Sequence, residues 1–546
     1  MSLKNSTIRQ TKYAGFEDLL RAFSEKDPSR TAILYEKSGA AASVSRREFA
    51  GAVQARAAEL LGNQRGTGFT ASVRRETKTP PAAVSGHKSP SCLGILCDGS
   101  LSCVLTIFAS VLAGFQTVLL DENASEELLA EQIRQTDIDC LWGSDEDLVE
   151  ELQPYLTDGV IEQPYLNGGM APDHSDNSVP MVSDRRILFF TSGTTSSSKA
   201  VVLTDYSLMA AAYNGSCKLP LSEEDTLLCM LPLNHVFGFV CGLLWGMQCG
   251  SAVALGRGAR YYTQDPSFYR PTAIPAVPML LGFLLQHNLL NKELRLVLVG
   301  AGDCPKALLA AAARKGISVS FGYGLTETSS GVAISVPPAY RPAVADSGVK
   351  TADVTGDSSA DMSAGTAASF DPYALEICPE NTVTLAGDGE ILVTGDSCMM
   401  KGYYRRPEDT AAVLRDGVLY TGDLGKWDEN GRLHIIGRKK EILVLQDGTK
   451  IFLPEYESRI AAVLPGRDFA VIAPNGRPVL LLFDPDTSLQ VKESPAADKA
   501  RAEIQDRLRN IMAGLPRGQQ LSSVLFTDRP LPRTATGKVK RWELQL

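Results

Sequence analysis

The 546-residue sequence lacks several features that would assign it to a class at once. It has no basic excess, because 54 lysine and arginine residues stand against 63 aspartate and glutamate residues, a formal net charge of −9. Proteins that bind nucleic acid through its phosphates usually carry a basic excess, so we expect no nucleic-acid partner. The chain is also too long for one compact hydrophobic core, which predicts more than one domain.

The 11 cysteines include no CxxC pair, and the N-terminal residues Met1–Ser6 carry no apolar core of a signal peptide. Most of the cysteines lie within apolar runs. This pattern is typical of buried thiols in a reducing compartment rather than of a disulfide framework. We therefore expect a cytoplasmic protein.

Long charge-free runs are few, and two of them raise the question of a membrane span. Leu101–Leu120 and Val236–Leu255 are each long enough to cross a bilayer. Both contain serine, glutamine and glycine, and both end in a short β-like segment. A buried helix followed by a buried strand gives this pattern in α/β proteins, so we predict no transmembrane span.

Helix-like and strand-like segments alternate over most of the chain, which predicts an α/β fold of mostly parallel, helix-covered sheets. After Asp388 short strands and turns dominate, and a compact α+β segment follows. We predict a large N-terminal domain over residues 1–439 and a small, mobile C-terminal domain over residues 440–546. Residues 64–91 and 338–370 are poor in large apolar side chains and are predicted to be exposed insertions. The basic character of the first insertion would suit an anionic partner, but we favour a solvated loop.

A candidate phosphate-binding loop lies between two apolar runs. Eight consecutive small polar residues, Thr191–Ser198, follow a strand-like segment and are followed by Lys199. Hydroxyl and backbone N–H groups on such a loop can bind phosphate oxygens, and the lysine adds positive charge. A flexible linker is the alternative, although a linker rarely separates two strongly β-forming runs. The common P-loop is disfavoured, because no second glycine precedes Lys199 and Ala200 follows it.

This loop resembles the signature TSGTTGxPKGV of the adenylate-forming superfamily, which includes acyl-CoA synthetases, luciferases and the adenylation domains of peptide synthetases. The matching residues are Thr191, Ser192, Gly193, Thr194, Thr195, Lys199 and Val201. The sequence departs from the signature at Ser196, Ser198 and Ala200. The resemblance implies that the matching residues of the loop bind ATP.

Further matches follow in the order that the superfamily shows. Leu231–Phe239 resembles the substrate-side motif and places His235 at its aromatic or histidine position. Gly300, Ala301 and Gly302 resemble the glycine-rich segment beside the adenine and the acyl pocket. Small residues there leave room for a ligand against the backbone.

The segment Gly322-Tyr323-Gly324 with Thr326 and Glu327 is similar to the YGxTE motif. The resemblance implies that Tyr323 stacks on adenine, that Thr326 contacts the α-phosphate and that Glu327 holds Mg²⁺. A carboxylate together with phosphate oxygens is a typical Mg²⁺ shell. Taken alone, Thr326 and Glu327 could equally begin a helix.

Motifs near the predicted domain boundary complete the resemblance. Asp423 matches the TGD motif, which implies hydrogen bonds to the ribose hydroxyls, and Ile435 and Arg438 would contact the nucleotide. Lys440 would be the hinge and Gly448 would lie beside the pantetheine path. The stretch Leu531–Arg541 matches PxTxxGKxxR and places Lys538 at the position of the superfamily's catalytic lysine.

The resemblance implies an ATP-dependent acid:CoA ligase that adenylates a carboxylic acid and then transfers the acyl group to CoA. His235, Thr326, Glu327 and Lys538 would be its catalytic residues, and ATP, Mg²⁺ and CoA its cofactors. The segment around His235 offers no carboxylate for an α-amino group, which favours a fatty or other acyl acid. Two alternatives stay open: an acyl-AMP ligase that loads the phosphopantetheine of an acyl carrier protein, and a catalytically inactive nucleotide-binding homologue.

Overall fold

The computed structural model describes residues 11–63, 92–156, 185–191, 198–302, 304–341, 370–395, 397–445, 450–484, 495–533, 539 and 541–544. The predicted insertion 64–91 lies outside the described residues, and so does the part of the second insertion from 342 to 369.

The strands are β1 (Thr31–Lys37), β2 (Ala40–Ser45), β3 (Cys92–Leu96), β4 (Gln116–Leu120), β5 (Cys140–Trp142), β6 (Arg186–Phe190), β7 (Ala200–Thr204), β8 (Thr226–Cys229), β9 (Ala252–Leu255), β10 (Ala273–Ala276), β11 (Leu296–Val299), β12 (Ser318–Leu325), β13 (Ser330–Ile334), β14 (Glu376–Ile377), β15 (Thr382–Leu385), β16 (Glu390–Thr394), β17 (Gly402–Tyr403), β18 (Leu414–Arg415), β19 (Val418–Trp427), β20 (Leu433–Arg438), β21 (Ile442–Val444), β22 (Lys450–Phe452), β23 (Phe469–Ile472), β24 (Val479–Phe483) and β25 (Ser523–Thr527).

The α-helices are α1 (Phe16–Glu25), α2 (Arg46–Asn63), α3 (Leu101–Leu112), α4 (Glu126–Thr136), α5 (Glu146–Leu152), α6 (Asp205–Lys218), α7 (Trp245–Cys249), α8 (Asp265–Tyr269), α9 (Pro278–Gln286), α10 (Lys306–Ala313), α11 (Pro407–Val413), α12 (Leu453–Val463) and α13 (Pro495–Met512). A π-helical segment, Gly238–Leu244, leads directly into α7.

The largest sheet has nine strands in the order β14-β13-β12-β11-β10-β8-β9-β1-β2. Its central strands are parallel, and its outer pairs β1–β2, β12–β13 and β13–β14 are antiparallel. Strands β10 and β11 are buried along their whole length, as expected for parallel strands covered on both faces. Ligands of such sheets commonly bind at the carboxyl ends of the strands.

A second sheet has six strands in the order β17-β7-β6-β4-β3-β5. A shared hydrophobic core joins it to the nine-stranded sheet. Phe189 on β6 packs edge-on against Phe239 of the π-helical segment, with ring centroids 5.6 Å apart. This packing brings the loop after β6 towards the loop after β8.

The remaining sheets are smaller. Strands β15, β16, β19, β18 and β20 form an antiparallel sheet whose last strand ends at Arg438. Beyond it, β21 and β22 pair with each other, and β23, β24 and β25 form a three-stranded sheet. These last strands pack with α12 and α13 around a hydrophobic cluster of their own, drawn from residues between 443 and 526.

The predicted α/β class, with parallel-rich and helix-covered sheets and a mixed α+β segment at the end of the chain, is confirmed. The domain boundary at residue 440 and the mobility of the C-terminal part stay predictions. Both charge-free runs form a helical segment followed by a strand, α3 with β4 and the segment Gly238–Cys249 with β9. Within the described residues, the structure holds no helix of the length and apolarity that a bilayer span needs.

Candidate functional site

The candidate phosphate loop connects β6 to β7, which are antiparallel neighbours. At its base the Thr191 N–H donates to the carbonyl oxygen of Lys199 over 2.9 Å, and the Lys199 N–H donates to Thr191 Oγ1 over 3.2 Å. The Ser198 hydroxyl donates to the Thr191 carbonyl oxygen over 2.8 Å. The two ends of the loop are therefore fixed to each other. Ser192, Gly193, Thr194 and Thr195 lie outside the described residues.

The side chain of Lys199 points to the segment that follows β17. Its Nζ lies 2.8 Å from Asp409 Oδ1 and 4.9 Å from the centre of the Tyr403 ring. The hydrogen bond from Lys199 lowers the pKa of the Asp409 carboxyl. Lys199 is thus a charged group with a defined direction at the exit of the loop.

Glu327 lies in a short 3₁₀ turn, Thr326–Thr328, directly after β12. Its main-chain oxygen accepts the Met400 N–H over 2.9 Å, and its Oε1 accepts the Tyr403 hydroxyl over 2.6 Å. Glu327 and Thr326 are only half-buried, so both side chains remain accessible to a ligand. A carboxylate held in this way suits Mg²⁺, which commonly takes one or two protein carboxylates and completes its shell with phosphate oxygens and water.

Gly322, Tyr323 and Gly324 form the end of β12, and the pairing with β13 shifts register between Tyr323 and Gly324. A Cβ on Gly324 would overlap the carbonyl oxygen of Ser330, so this position admits only glycine. The motif glycine here is required by close approach of two backbones.

Tyr323, Asp423 and Arg438 form a hydrogen-bonded chain. The Tyr323 hydroxyl donates to Asp423 Oδ2 over 2.9 Å, and Arg438 Nε lies 3.2 Å from Asp423 Oδ1. Asp423 and Arg438 are also opposite each other in the pairing of β19 with β20. Ile435 lies half-buried on the same strand as Arg438 and packs against the main core.

Burial raises the pKa of Asp423, against the lowering effect of Arg438 and the Tyr323 hydrogen bond. The negative charges of Glu441 and Glu327 raise this pKa further. Burial and the Asp423 charge likewise raise the pKa of Tyr323, so its hydroxyl stays protonated and donates. The structure therefore brings the YGxTE and TGD motifs into one site.

Two further loops lie at the carboxyl ends of β8 and β11, with β10 between them. A Cβ on Gly300 would lie 3.0 Å from Cζ of Phe237, so the glycine segment packs against the His235 loop. Ala301 adopts a left-handed backbone with φ of 61°, and Ala301 and Gly302 are exposed. The His235 side chain is also accessible, yet the surrounding protein desolvates the ring and lowers its pKa, while Asp121 opposes this shift.

Three further predicted residues belong to the segment from residue 440 onward. Lys538 and Gly448 lie outside the described residues. The backbone of Lys440 belongs to a short 3₁₀ turn, Lys439–Glu441, that follows β20. The side chain of the preceding residue, Lys439, contacts Asp388 and Glu390 over 2.6 Å and 2.7 Å.

Sequence reasoning missed Tyr403 and Asp409, which contact Glu327 and Lys199. Both follow Gly402 in a segment rich in aromatic and charged residues, and no periodic pattern distinguishes them. Taken together, the site presents the cations Lys199 and Arg438 beside the carboxylates Glu327 and Asp423. Such an arrangement can bind a polyphosphate together with a divalent cation, and a sugar with vicinal hydroxyls.

Comparison with known proteins agrees with this geometry. Residues 83–404 match the sequence profile of a family described as AMP-binding enzyme. Over 458 residues, 82% of this chain and 86% of the relative, the chain is 27% identical to the 2-succinylbenzoate–CoA ligase of Bacillus velezensis. Over 366 residues it is 30% identical to the probable CoA ligase CCL9 of Humulus lupulus, covering 66% of this chain and 65% of that one.

Solved structures show the same architecture. The O-succinylbenzoate coenzyme A synthetase (MenE) of Bacillus subtilis in complex with AMP is similar with a TM-score of 0.66 and 22% identity, over 96% of this chain and 98% of that one. ATP-bound MatB from Rhodopseudomonas palustris is similar with a TM-score of 0.67 and 21% identity, over 97% of both chains. At these identities the likeness shows the fold alone.

Proposed function

The chain belongs to the AMP-binding enzyme family, and from this premise we propose that it joins a carboxylic acid to CoA in two steps at the site described above. Membership confirms the predicted adenylate-forming superfamily and the predicted class, an ATP-dependent CoA ligase. ATP, Mg²⁺ and CoA, the predicted cofactors, are those that this family uses. The residue roles and the acid are our proposal.

One observation carries the proposal of this site. Residues from four separate motifs meet in two groups of contacts: Tyr403 joins Lys199 to Glu327, and Asp423 joins Tyr323 to Arg438. Tyr323 and Glu327 belong to the same motif, at the end of β12 and in the turn after it, and this brings the two groups together. The motifs are more than 200 residues apart at their extremes, so their convergence is a property of the fold. A nucleotide site requires this mixture of cations for phosphate and of carboxylates for metal and ribose.

In the first half-reaction the acid's carboxylate would attack the α-phosphate of ATP and release pyrophosphate. Two anions must approach each other, so the site must neutralise negative charge. Lys199 would bind the β- and γ-phosphates, Thr326 the α-phosphate, and Asp423 the ribose hydroxyls. Bound Mg²⁺, held by Glu327, would supply further positive charge to the phosphates.

Lys538 would bridge the carboxylate and the α-phosphate, an electrostatic and positional role. In the second half-reaction the CoA thiol would attack the acyl-adenylate and AMP would leave. We propose that the segment from Lys440 onward rotates between the two steps, so that Lys538 withdraws and Gly448 lines the pantetheine path.

For the acid, we propose an aromatic dicarboxylic acid of the 2-succinylbenzoate kind ahead of a fatty acid. The support comes from the relatives, several of which are named 2-succinylbenzoate–CoA ligases at 26–28% identity. These names give no support to the fatty-acid expectation. They also give none to a carrier protein as the acyl acceptor.

The test measures pyrophosphate release and thioester formation with a panel of acids, each with CoA, with a holo acyl carrier protein, and with neither. We expect 2-succinylbenzoate to be activated and transferred to CoA, with benzoate, acetate and long-chain fatty acids at least about tenfold slower in kcat/KM. Glu327→Gln serves as the matched variant, in which adenylation should fall while the fold is kept.

A thioester found only on the carrier protein would support the acyl-AMP ligase alternative instead. Activation of fatty acids in preference to 2-succinylbenzoate would overturn the proposed acid alone. Absence of adenylate with every acid would overturn the catalytic proposal and favour a nucleotide-binding homologue.

A further inference from the structure

Tyr403 occupies a fixed place between the phosphate loop and the YGxTE motif. It lies on the edge strand β17 and pairs with Val201 of β7. Val201 follows Lys199 by two residues in the sequence. Its N–H donates to Thr410 Oγ1 over 2.9 Å, and the next N–H, of Tyr404, donates to the Ala200 carbonyl oxygen over 2.8 Å. The backbone of Tyr403 is therefore held on both sides, and the residue is 9% exposed.

The hydroxyl of Tyr403 donates to Glu327 Oε1 over 2.6 Å. This distance is typical of a charge-assisted hydrogen bond to a carboxylate, which is stronger than a bond between neutral groups. The bond uses one carboxylate oxygen and restricts the rotation of the group. Because both oxygens are bonded to the same carbon at a fixed angle, restricting the rotation of the group also orients the second oxygen.

The ring of the same tyrosine lies under Lys199, whose Nζ is 4.9 Å from the ring centre. An ammonium over an aromatic face is attracted by the ring's electron density. The Lys199 ammonium also contacts Asp409, at the start of α11, over 2.8 Å. One side chain thus contacts both the expected metal ligand and the expected phosphate-binding cation.

We propose that Tyr403 is a positioning residue for adenylate formation. Its hydroxyl orients the Glu327 carboxylate for the metal–nucleotide complex, and the face of its ring holds the Lys199 ammonium in place. This proposal rests on the proposed function, in which Glu327 and Lys199 bind the metal and the phosphates of ATP. Tyr403 itself need not touch the substrate.

A buried tyrosine generally finds an acceptor for its hydroxyl, so a purely structural role is the competing explanation. Tyr404 offers a matched control for it. The Tyr404 hydroxyl donates to Asp137 Oδ2 over 3.0 Å, and the residue packs in a different hydrophobic cluster. Both tyrosines are similarly buried and both bond a carboxylate, but only Tyr403 bonds one in the site.

The experiment compares the wild type, Tyr403→Phe, Tyr404→Phe, Glu327→Gln and the double variant Tyr403→Phe/Glu327→Gln in the full chain. The affinity for Mn²⁺, used as the metal probe in the presence of ATP, is measured by electron paramagnetic resonance. Adenylation and thioester formation from supplied acyl-AMP are measured separately with 2-succinylbenzoate, and thermal unfolding checks that each variant is folded.

We expect Tyr403→Phe to lose about tenfold in Mn²⁺ affinity and about tenfold in adenylation rate, because the carboxylate loses a charge-assisted bond. Thioester formation should change by less than about threefold, and Tyr404→Phe should leave all three measurements unchanged. In the Glu327→Gln background, Tyr403→Phe should add less than about twofold to the loss of affinity, because the two residues act as one unit.

The role of the ring is tested by Tyr403→Leu, which removes both the hydrogen bond to Glu327 and the ring contact with Lys199. Binding of ATP in the presence of EDTA should weaken about threefold or more in Tyr403→Leu and should stay unchanged in Tyr403→Phe. Equal binding in both variants would overturn the support of Lys199 by the ring.

Wild-type Mn²⁺ affinity in Tyr403→Phe, or additive losses in the double variant, would overturn the orienting role. If the wild type binds Mn²⁺ with ATP but forms no adenylate, the proposed function fails, while the affinities still decide on Tyr403. If the wild type binds no Mn²⁺ with ATP, both proposals are overturned.

Discussion

Gly324 is the position where the structure makes its sharpest prediction about the YGxTE motif. A Cβ added there would overlap the Ser330 carbonyl oxygen and lie 3.0 Å from Gly331 Cα. Both are backbone atoms of β13, which pairs directly with the end of β12. Neither can move away as a flexible side chain would, so Gly324→Ala must displace one strand from the other.

The displacement has a calculable cost. Overpacking of a well-packed site typically costs 1–3 kcal/mol, and a backbone clash belongs at the upper end, about 3 kcal/mol. With an unfolding entropy of about 2.1 cal/mol/K per residue and roughly 400 cooperating residues, this cost lowers the melting temperature by about 3–4 °C. The displacement of the strand would also move Thr326 and Glu327, because their turn begins immediately after β12.

Gly322→Ala is the matched control. Two residues earlier in the same motif, the nearest atom that a Cβ would meet is Leu298 Cδ1 at 3.5 Å, an ordinary van der Waals contact. We expect Gly322→Ala to melt within about 1 °C of the wild type in differential scanning calorimetry. Gly324→Ala should melt about 3–4 °C lower and lose at least about 100-fold in adenylation, as measured by pyrophosphate release. Equal melting temperatures for the two variants would refute the steric reasoning.

Three further predictions concern charged residues of the site and the hinge. Lys538→Ala should lower adenylation by at least about 100-fold and spare thioester formation from supplied acyl-AMP; equal losses in both steps would contradict its role. Lys440→Pro should block one half-reaction by restricting the hinge backbone, and unchanged overall turnover would count against the hinge. Asp409→Asn should destabilise the protein at neutral pH, where the ionised carboxylate is paired with Lys199. Because this pairing lowers the pKa of Asp409 from 3.8, the difference in melting temperature should disappear as the pH falls through the lowered pKa. A difference in melting temperature that does not shrink as the pH falls below 3.8 would refute this account.

The fold class could be predicted because alternation of apolar runs is a local property of the sequence. The run Leu101–Leu120 contains a helix and a strand, α3 and β4, and the sequence predicted that division from its polar residues and its β-like end. The order of strands in the sheets could not be predicted in the same way. It depends on long-range pairings, such as β1 with β9, that join residues more than 200 positions apart.

For the candidate site, too, local patterns could be predicted and long-range contacts could not. The motif residues Tyr323, Asp423 and Arg438 could be singled out because each belongs to a recognisable local pattern. Their mutual contacts could not be, since Tyr323 and Asp423 are 100 residues apart in sequence and meet only through the packing of two sheets. Tyr403 and Asp409 belong to no motif considered above, so only their contacts identify them.

The chain has a net negative charge, yet we propose that it binds an anionic substrate. The two are compatible because the site itself holds positively charged side chains. Each cation described in the site is paired with a carboxylate, Lys199 with Asp409 and Arg438 with Asp423. Such pairing keeps two cations in place without the mutual repulsion of an unpaired cluster.

A polyphosphate that enters the site must compete with Asp409 for Lys199, whereas Asp423 would keep its contact with Arg438 while it binds ribose. Asp409→Asn should therefore tighten ATP binding in EDTA even as it destabilises the free protein, and weaker binding would show that Asp409 orients Lys199 instead of competing with the nucleotide.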